Sequence, residues 1–280
     1  MTLAVIVDRK SVDVEAVHRG NLMFLSGAGE SDALVAHAIE TCNRRLSGYF
    51  DAHRHSITED RLQAFAEEVS EAKNEFTNGE KTKTLLLDLI KLRYEHYRKV
   101  DLFFDLPRLR IIPPSFIYRS GVSYNYQPHR DSWYGGTVDQ VNHWLSVRNV
   151  TTRSTFYIAP SFFSEVIPNT SNEFDLDVWH SIHRPAAARS TTQELRPHPS
   201  PAIEIPESAK ISVVMDPGTE VVFSGTHLHG STPNASDCVR LSIDYRVVIP
   251  AFSRSAPNNI DSSATGDYSK FLLKHPHFNV

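Results

Sequence analysis

The hydrophobic pattern of this chain changes period once, near Pro107, and that change restricts the fold more than any other feature. Ahead of it, apolar residues recur at helical spacing: Val35, Ala38, Ile39, Cys42 and Leu46 between Ser31 and about Phe50, then Leu62, Phe65, Ala66, Val69 and Ala72, then a third segment from about Lys81 to Val100. Ser31 and Asp32 are capping-type residues at the start of the first segment. The first hundred residues are therefore expected to be mostly helical. Beyond Pro107 the apolar runs are short, β-rich and punctuated by Gly, Pro, Asn and Asp: Leu109 to Tyr118, Val138 to Val147, Thr155 to Ala159, Ile211 to Met215, Glu220 to Phe223 and Val239 to Ile249. The pattern predicts a mixed α+β fold in one domain, with helical support over 1–105, a sheet core over 106–250 and an extension over 251–280. Residues 160–206 are rich in Pro, Ser, Asn and His with weak periodicity, and read as a lid-like insertion. The stretch from Tyr268 to Phe278 is expected to dock as a short helix.

Charge and cysteine content narrow the function. Against 29 Lys and Arg stand 33 Asp and Glu without long like-charge blocks, which leaves no basic stripe for nucleic acid and no basic patch for a coenzyme A tail. Cys42 and Cys238 are too few for a disulfide framework or a Cys-rich zinc cage, and Asp8-Arg9-Lys10 interrupts any N-terminal apolar run. No apolar stretch approaches the roughly 18 residues of a spanning helix. A reduced, soluble, cytoplasmic protein is expected, acting on a small polar molecule with neither nucleic acid nor membrane as partner.

Chemistry concentrates in Gln127-Pro128-His129-Arg130-Asp131-Ser132-Trp133-Tyr134. Strand alternation would place His129 and Asp131 on one face, with Cα atoms roughly 6.6 Å apart. A second imidazole arriving from Thr226-His227-Leu228-His229-Gly230-Ser231 would complete a face of two histidines and one carboxylate. Such a face leaves adjacent positions open on an octahedral metal, as non-haem Fe(II) oxygenases require. Arg240 lies eleven residues past His229, across the turn-prone stretch 232–237. A hairpin there would set the two residues opposite one another, about 5 Å apart. A forked guanidinium beside the metal could then grip the distal carboxylate of a chelating keto acid. Along the same strand Arg240, Ser242, Asp244 and Arg246 alternate with Leu241, Ile243, Tyr245 and Val247, so one polar face is expected to line a cavity.

On His129-Arg130-Asp131 (an HxD motif), His229-Gly230-Ser231 (an HGS motif) and Arg240, the chain resembles the iron(II)- and 2-oxoglutarate-dependent oxygenases, within them the phytanoyl-CoA hydroxylase-like branch, over roughly Leu109 to Pro250. The resemblance implies a double-stranded β-helix, or jelly roll, with supporting helices. It also implies Fe(II), 2-oxoglutarate as cosubstrate and O2, with oxidation of a C–H bond and release of succinate and CO2. Residue by residue, His129, Asp131 and His229 match the iron ligands, and Arg240 and Ser231 match positions that hold the distal carboxylate. Trp144 matches an aromatic walling that pocket, and Gln127 and Asn142 match neighbouring positions. The segment Ala159-Pro160-Ser161-Phe162-Phe163 departs from the Pro-Gly-Ser-His loop frequent in this branch, so lid and substrate chemistry do not transfer. Asp131 is a carboxylate, unlike the Gly or Ala of related halogenases, which favours hydroxylation over chlorination. Desaturation, ring closure, epimerisation and alcohol oxidation use the same machinery.

Rival assignments stand beside these. His227 is two residues from His229 and would face the same way on a strand; His229 is preferred because it alone fits both the HGS pattern and the Arg240 spacing. Arg246 rivals Arg240 as the clamp, against an ion pair with Asp244. Tyr126 and Trp133, with Asn142, His227 and Arg246, are the expected substrate-pocket residues. A different class, a metal-binding cupin-like isomerase or a ligand-binding jelly roll, would have no need of the Arg240 guanidinium.

Overall fold

The computed structural model describes residues 5–49, 58–114, 127–183, 196–257 and 261–279. Two short strands open it, β1 (Val5–Arg9) and β2 (Leu22–Leu25), with the one-turn helix α1 (Val14–His18) between them. Neither strand is legible by alternation: Leu22 to Leu25 is a continuous apolar run that becomes a strand by pairing antiparallel with residues 220–222, almost two hundred positions away. The three periodic segments are helices: α2 (Gly29–Leu46), α3 (Leu62–Asn78) and α4 (Glu80–Arg93). Helix α2 starts ahead of Ser31, whose hydroxyl reaches back to the Ala28 amide at 2.8 Å. The third helix stops at Arg93, short of the expected Val100. The Arg93 side chain is fully buried and drawn to Glu220 at 2.8 Å, and a 3-10 turn over Glu95–Tyr97 follows.

The sheet strands follow: β3 (Phe103–Phe104), β4 (Arg108–Ile112), β5 (Val141–Ser146) and β6 (Phe156–Ile158). After the single turn α5 (Leu176–Val178) come β7 (Ile211–Ser212), β8 (Glu220–Ser224), β9 (His229–Ser231), β10 (Arg240–Val248) and β11 (Leu273–Lys274). The main sheet runs β1-β2-β8-β5-β10-β3-β11, with β4 also paired to β10, and a smaller sheet runs β7-β6-β9. The expected helix near Tyr268 is a 3-10 turn over Tyr268–Phe271 leading into β11, which pairs with β3. Among the described residues no helix is long and apolar enough to cross a membrane.

One face of the main sheet packs on the helices. Leu241, Ile243, Tyr245 and Val247 of β10 and Val141 and Leu145 of β5 enter one core with Leu34, Phe65, Phe76 and Leu89. Alternation then turns Arg240, Asp244 and Arg246 of β10, and Asn142 and Trp144 of β5, toward a cavity on the other face. A second apolar cluster, with Trp144, Phe156, Ile158, Val221 and Phe223, ties this face to the small sheet.

Buried within the first core is a charged network. Arg93, His143 and Glu220 are each under 2% exposed, and Glu220 receives Arg93 Nε at 2.9 Å, His143 Nδ1 at 2.9 Å and the Tyr245 hydroxyl at 3.1 Å. Tyr94 then donates to His143 Nε2 at 2.7 Å. These bonds fasten α4 to the central strands and hold the Glu220 carboxyl, despite its burial, down to about 2.

The hairpin expected between His229 and Arg240 does not form. Strand β9 pairs with β6, placing Ser231 opposite Phe156, whereas Arg240 pairs with Ile112 of β4 in the main sheet. The intervening turn residues carry the chain from one sheet to the other. Asn234, fully buried, pins this crossing through its amide to the carbonyls of Ile112 (2.9 Å) and Cys238 (2.7 Å).

Candidate metal centre and its cavity

Two histidines from distant parts of the sequence meet as a β-bridge: His129 N donates to His229 O at 2.8 Å and His229 N donates to His129 O at 2.9 Å. Asp131 does not lie on a strand with His129, as alternation suggested. It opens a 3-10 turn, Asp131–Tyr134, that Gly135 ends at φ 79°, a left-handed conformation suited to glycine. Even so, Asp131 Oδ1 lies 3.6 Å from His129 Nε2 and 3.7 Å from His229 Nε2, and one ligand atom from each of the three residues lies within 4.8 Å of the others.

Neighbouring groups fix which atoms face the common volume. His129 Nδ1 contacts the Gln127 carbonyl at 2.8 Å and His229 Nδ1 contacts the His227 carbonyl at 2.9 Å. A carbonyl only accepts, so each Nδ1 carries the proton and each Nε2 presents a lone pair. Asp131 Oδ2 accepts from Gln140 Nε2 at 2.8 Å and Asn142 Nδ2 at 2.9 Å, with Arg246 Nε at 3.6 Å, and leaves Oδ1 toward the imidazoles. Burial pushes the Asp131 carboxyl up, but the neighbouring His129, the charge of Arg246 and the neighbouring His229 hold it well below the usual carboxylate range. Burial, and then the neighbouring His129, push His229 down to about 4, so its ring is neutral at physiological pH. Two imidazole nitrogens and one carboxylate oxygen form a donor set that can hold a divalent transition metal.

Gly230 lets β9 approach. A Cβ there would fall 2.8 Å from the Tyr157 hydroxyl and 3.1 Å from the Pro128 nitrogen, which any side chain would force apart. The motif glycine is thus a close-packing position on the strand that delivers His229.

The three residues border a cavity of about 620 Å³, in the range of small-molecule sites. Ser231, Trp144, Asn142, Arg240 and Arg246 also line it. The two arginines differ sharply. Arg246 is gripped by Asp244 at 2.8 Å and Asp105 at 3.4 Å, which raise its affinity for the proton despite burial. Arg240 is 7% exposed and donates Nη1 to the Thr155 carbonyl at 2.6 Å, while its Nε is buried without an acceptor. No carboxylate among the described residues reaches it. Burial, then the charge of Arg110, push it down to about 10.

Three expected residues stand elsewhere. Gln127 is exposed, and it is its backbone carbonyl, holding His129, that serves the site. Trp133 is fully buried beneath the Asp131 turn, with Nε1 donating to Asp261 Oδ1 at 2.9 Å; Arg130 pairs with the same carboxylate at 2.6 Å. It anchors the turn from below and does not line the cavity. His227 is fully buried too, its Nε2 3.2 Å from the Gly20 carbonyl and its ring against Phe163. It sits in the turn before β9, so the strand rule that paired it with His229 does not apply. Tyr126 lies outside the described residues. Gln140 was not anticipated, although two-residue steps back from Trp144, through Asn142, lead to it just ahead of β5.

No protein-family model and no curated protein sequence matches the chain. Among solved structures, the non-heme monooxygenase ThoJ in its apo form is 19% identical, covering 85% of this chain and 78% of its own at a TM-score of 0.45. EvdO2 from Micromonospora carbonacea var. aurantiaca, complexed with 2-oxoglutarate, is 15% identical, covering 85% and 91% at 0.46. The epimerase SnoN, in complex with Fe3+, alpha ketoglutarate and nogalamycin RO, is 16% identical, covering 84% and 82% at 0.42.

Proposed function

We propose that the chain is an Fe(II)- and 2-oxoglutarate-dependent oxygenase that oxidises a C–H bond of a small molecule, hydroxylation first, with release of succinate and CO2. The observation that carries this reading is Arg240: a buried guanidinium with an unsatisfied Nε, lining the same cavity as the His129, Asp131 and His229 donor set. A buried cation without a carboxylate is costly unless a ligand supplies one. The distal carboxylate of 2-oxoglutarate fits that need, with Ser231 and Trp144 on the same wall. Iron and 2-oxoglutarate bound together would supply the oxidising power, coupling decarboxylation of the keto acid to attack on an unactivated C–H bond.

The chain's own residues have defined tasks. His129, Asp131 and His229 would hold the metal, and the carbonyls of Gln127 and His227 keep both imidazoles in the Nε2-ligating tautomer. Gln140, Asn142 and Arg246 keep Asp131 ionised and turn one oxygen inward. Phe156, Phe223 and Trp144 keep the inner wall apolar. The two sheets are read as the double-stranded β-helix of this family, in its phytanoyl-CoA hydroxylase-like branch. A cupin-like isomerase would also use such ligands but leaves Arg240 without a role.

Anaerobic titration tests the reading. The Fe(II)-loaded protein is expected to develop a weak visible charge-transfer band on adding 2-oxoglutarate, and to release succinate when air and a substrate are supplied. Iron binding with no such band would favour the isomerase class.

A further inference from the structure

Within the polar stretch 160–206 the fold turns Phe174, Leu176 and Trp179 to the cavity. With Tyr134 they build an aromatic wall that starts at the metal ligands. The Tyr134 ring meets the His129 ring edge-on at 5.1 Å, Phe174 meets Tyr134 at 5.0 Å, and Trp179 lies 6.3 Å beyond Phe174. All four rings line the cavity. Hydrogen bonds hold the wall in place: Leu176 N donates to Thr265 O and Thr265 N to Phe174 O, each at 3.0 Å, Asp175 caps the Val178 amide at 2.9 Å, and the Tyr134 hydroxyl bonds with His198 Nδ1 at 2.9 Å.

Two observations single out Trp179 on this wall. It opens a π-helical turn, Trp179–His183, directly after α5; such turns are rare and occur frequently at functional sites. Its indole Nε1 is also buried without an acceptor, whereas an indole N–H usually finds one when it is buried. The carboxylates that line the cavity nearby are engaged elsewhere. Asp244 takes Arg110 Nη2 at 3.0 Å and Arg246 at 2.8 Å, and Asp105 takes the Tyr268 hydroxyl at 2.7 Å. The wall offers flat apolar surface and one donor, and its complement is a flat ligand with one acceptor.

We propose that this wall binds a ring system bearing a carbonyl or ether oxygen: the oxygen accepts from Trp179 Nε1, and the rings lie along Phe174 and Tyr134 toward the His129 end of the cavity. That such a molecule is the one oxidised rests on the reading of the metal centre above. Binding itself needs only the wall.

Two fluorescent probes on the same rings separate the acceptor from the shape: propionyl-dimethylaminonaphthalene and its propyl analogue, in which the carbonyl is a methylene. They are titrated into the full chain with and without Fe(II) and 2-oxoglutarate, so the result stands whether or not the charge-transfer band appears, and the band can appear whether or not the probes bind. The propionyl probe is expected to bind more tightly in both states. Trp179→Phe, which keeps a ring and removes the donor, should weaken it roughly three- to tenfold and leave the propyl analogue unchanged, whereas Trp179→Ala should weaken both. The unaltered protein supplies an independent readout. Its tryptophans are Trp133, Trp144 and Trp179, and in NMR spectra of the isotope-labelled indoles the propionyl probe should move one N–H proton downfield, a signal that Trp179→Phe deletes. Equal affinity for the two probes, or a downfield shift that is absent or survives in Trp179→Phe, would overturn the proposal.

Discussion

Replacing Arg240 with methionine should make the protein more stable and less able to bind its cosubstrate. The side chain is 7% exposed, makes one hydrogen bond to the Thr155 carbonyl and has no carboxylate partner among the described residues. Burial lowers it from an ordinary 12.5 to about 10, so below that pH the folded state holds the charge at a cost. At about 1.4 kcal/mol per tenfold that cost is on the order of 3 kcal/mol. Losing the Thr155 bond offsets about 1–2 kcal/mol. The net expectation is a gain of about 1–2 kcal/mol, a rise in Tm of roughly 2–6 °C. Affinity for 2-oxoglutarate, read from the anaerobic charge-transfer band, should fall roughly ten- to hundredfold or more, because charge-assisted hydrogen bonds of about 1.5–3 kcal/mol are lost. Arg246→Met is the control. It strips a partner from Asp244, Asp105 and Asp131, and should cost about 3–5 kcal/mol. Arg240→Met with a lower Tm and unchanged 2-oxoglutarate affinity would refute the reasoning.

Three further outcomes follow from the geometry. Gln140→Leu and Asn142→Leu each remove one donor to Asp131 Oδ2, and each should weaken Fe(II) binding by about 10–100-fold; equilibrium dialysis at unchanged fold reads this directly. His227→Ala should keep full iron occupancy by metal analysis while losing about 2–4 kcal/mol in chemical denaturation, because the ring is a buried packing element; loss of iron at intact fold would return His227 to the metal face. Glu220 is held down to about 2 from an ordinary 4.5, so its contribution is fully present above about 4.5 and disappears as pH falls toward 2. Glu220→Gln should flatten that acid limb in denaturation measured across pH, and cost about 3–5 kcal/mol at neutral pH by leaving Arg93 buried without its counter-charge.

The order of chemical types along the chain was legible without coordinates. Helical spacing marked α2, α3 and α4, alternation marked the two faces of β10, and the HxD, HGS and Arg240 positions named the residues that share the cavity. Those signals are local, since a period states which side of its own element a residue occupies. What lies opposite is a long-range matter. Spacing suggested a hairpin between His229 and Arg240, but β9 found better pairing with β6 and β10 with β4, so the two face one cavity from different sheets. Alternation put Asp131 on a strand, but Trp133 and Arg130 are pulled to Asp261 and bend the chain into a turn that still delivers the carboxylate. Nothing in the spacing of Arg93, His143 and Glu220 could reveal that they meet. Only the packing of the helices on the central strands brought them together, because contacts between distant segments are set by which apolar faces bury one another and not by the residues those faces carry along.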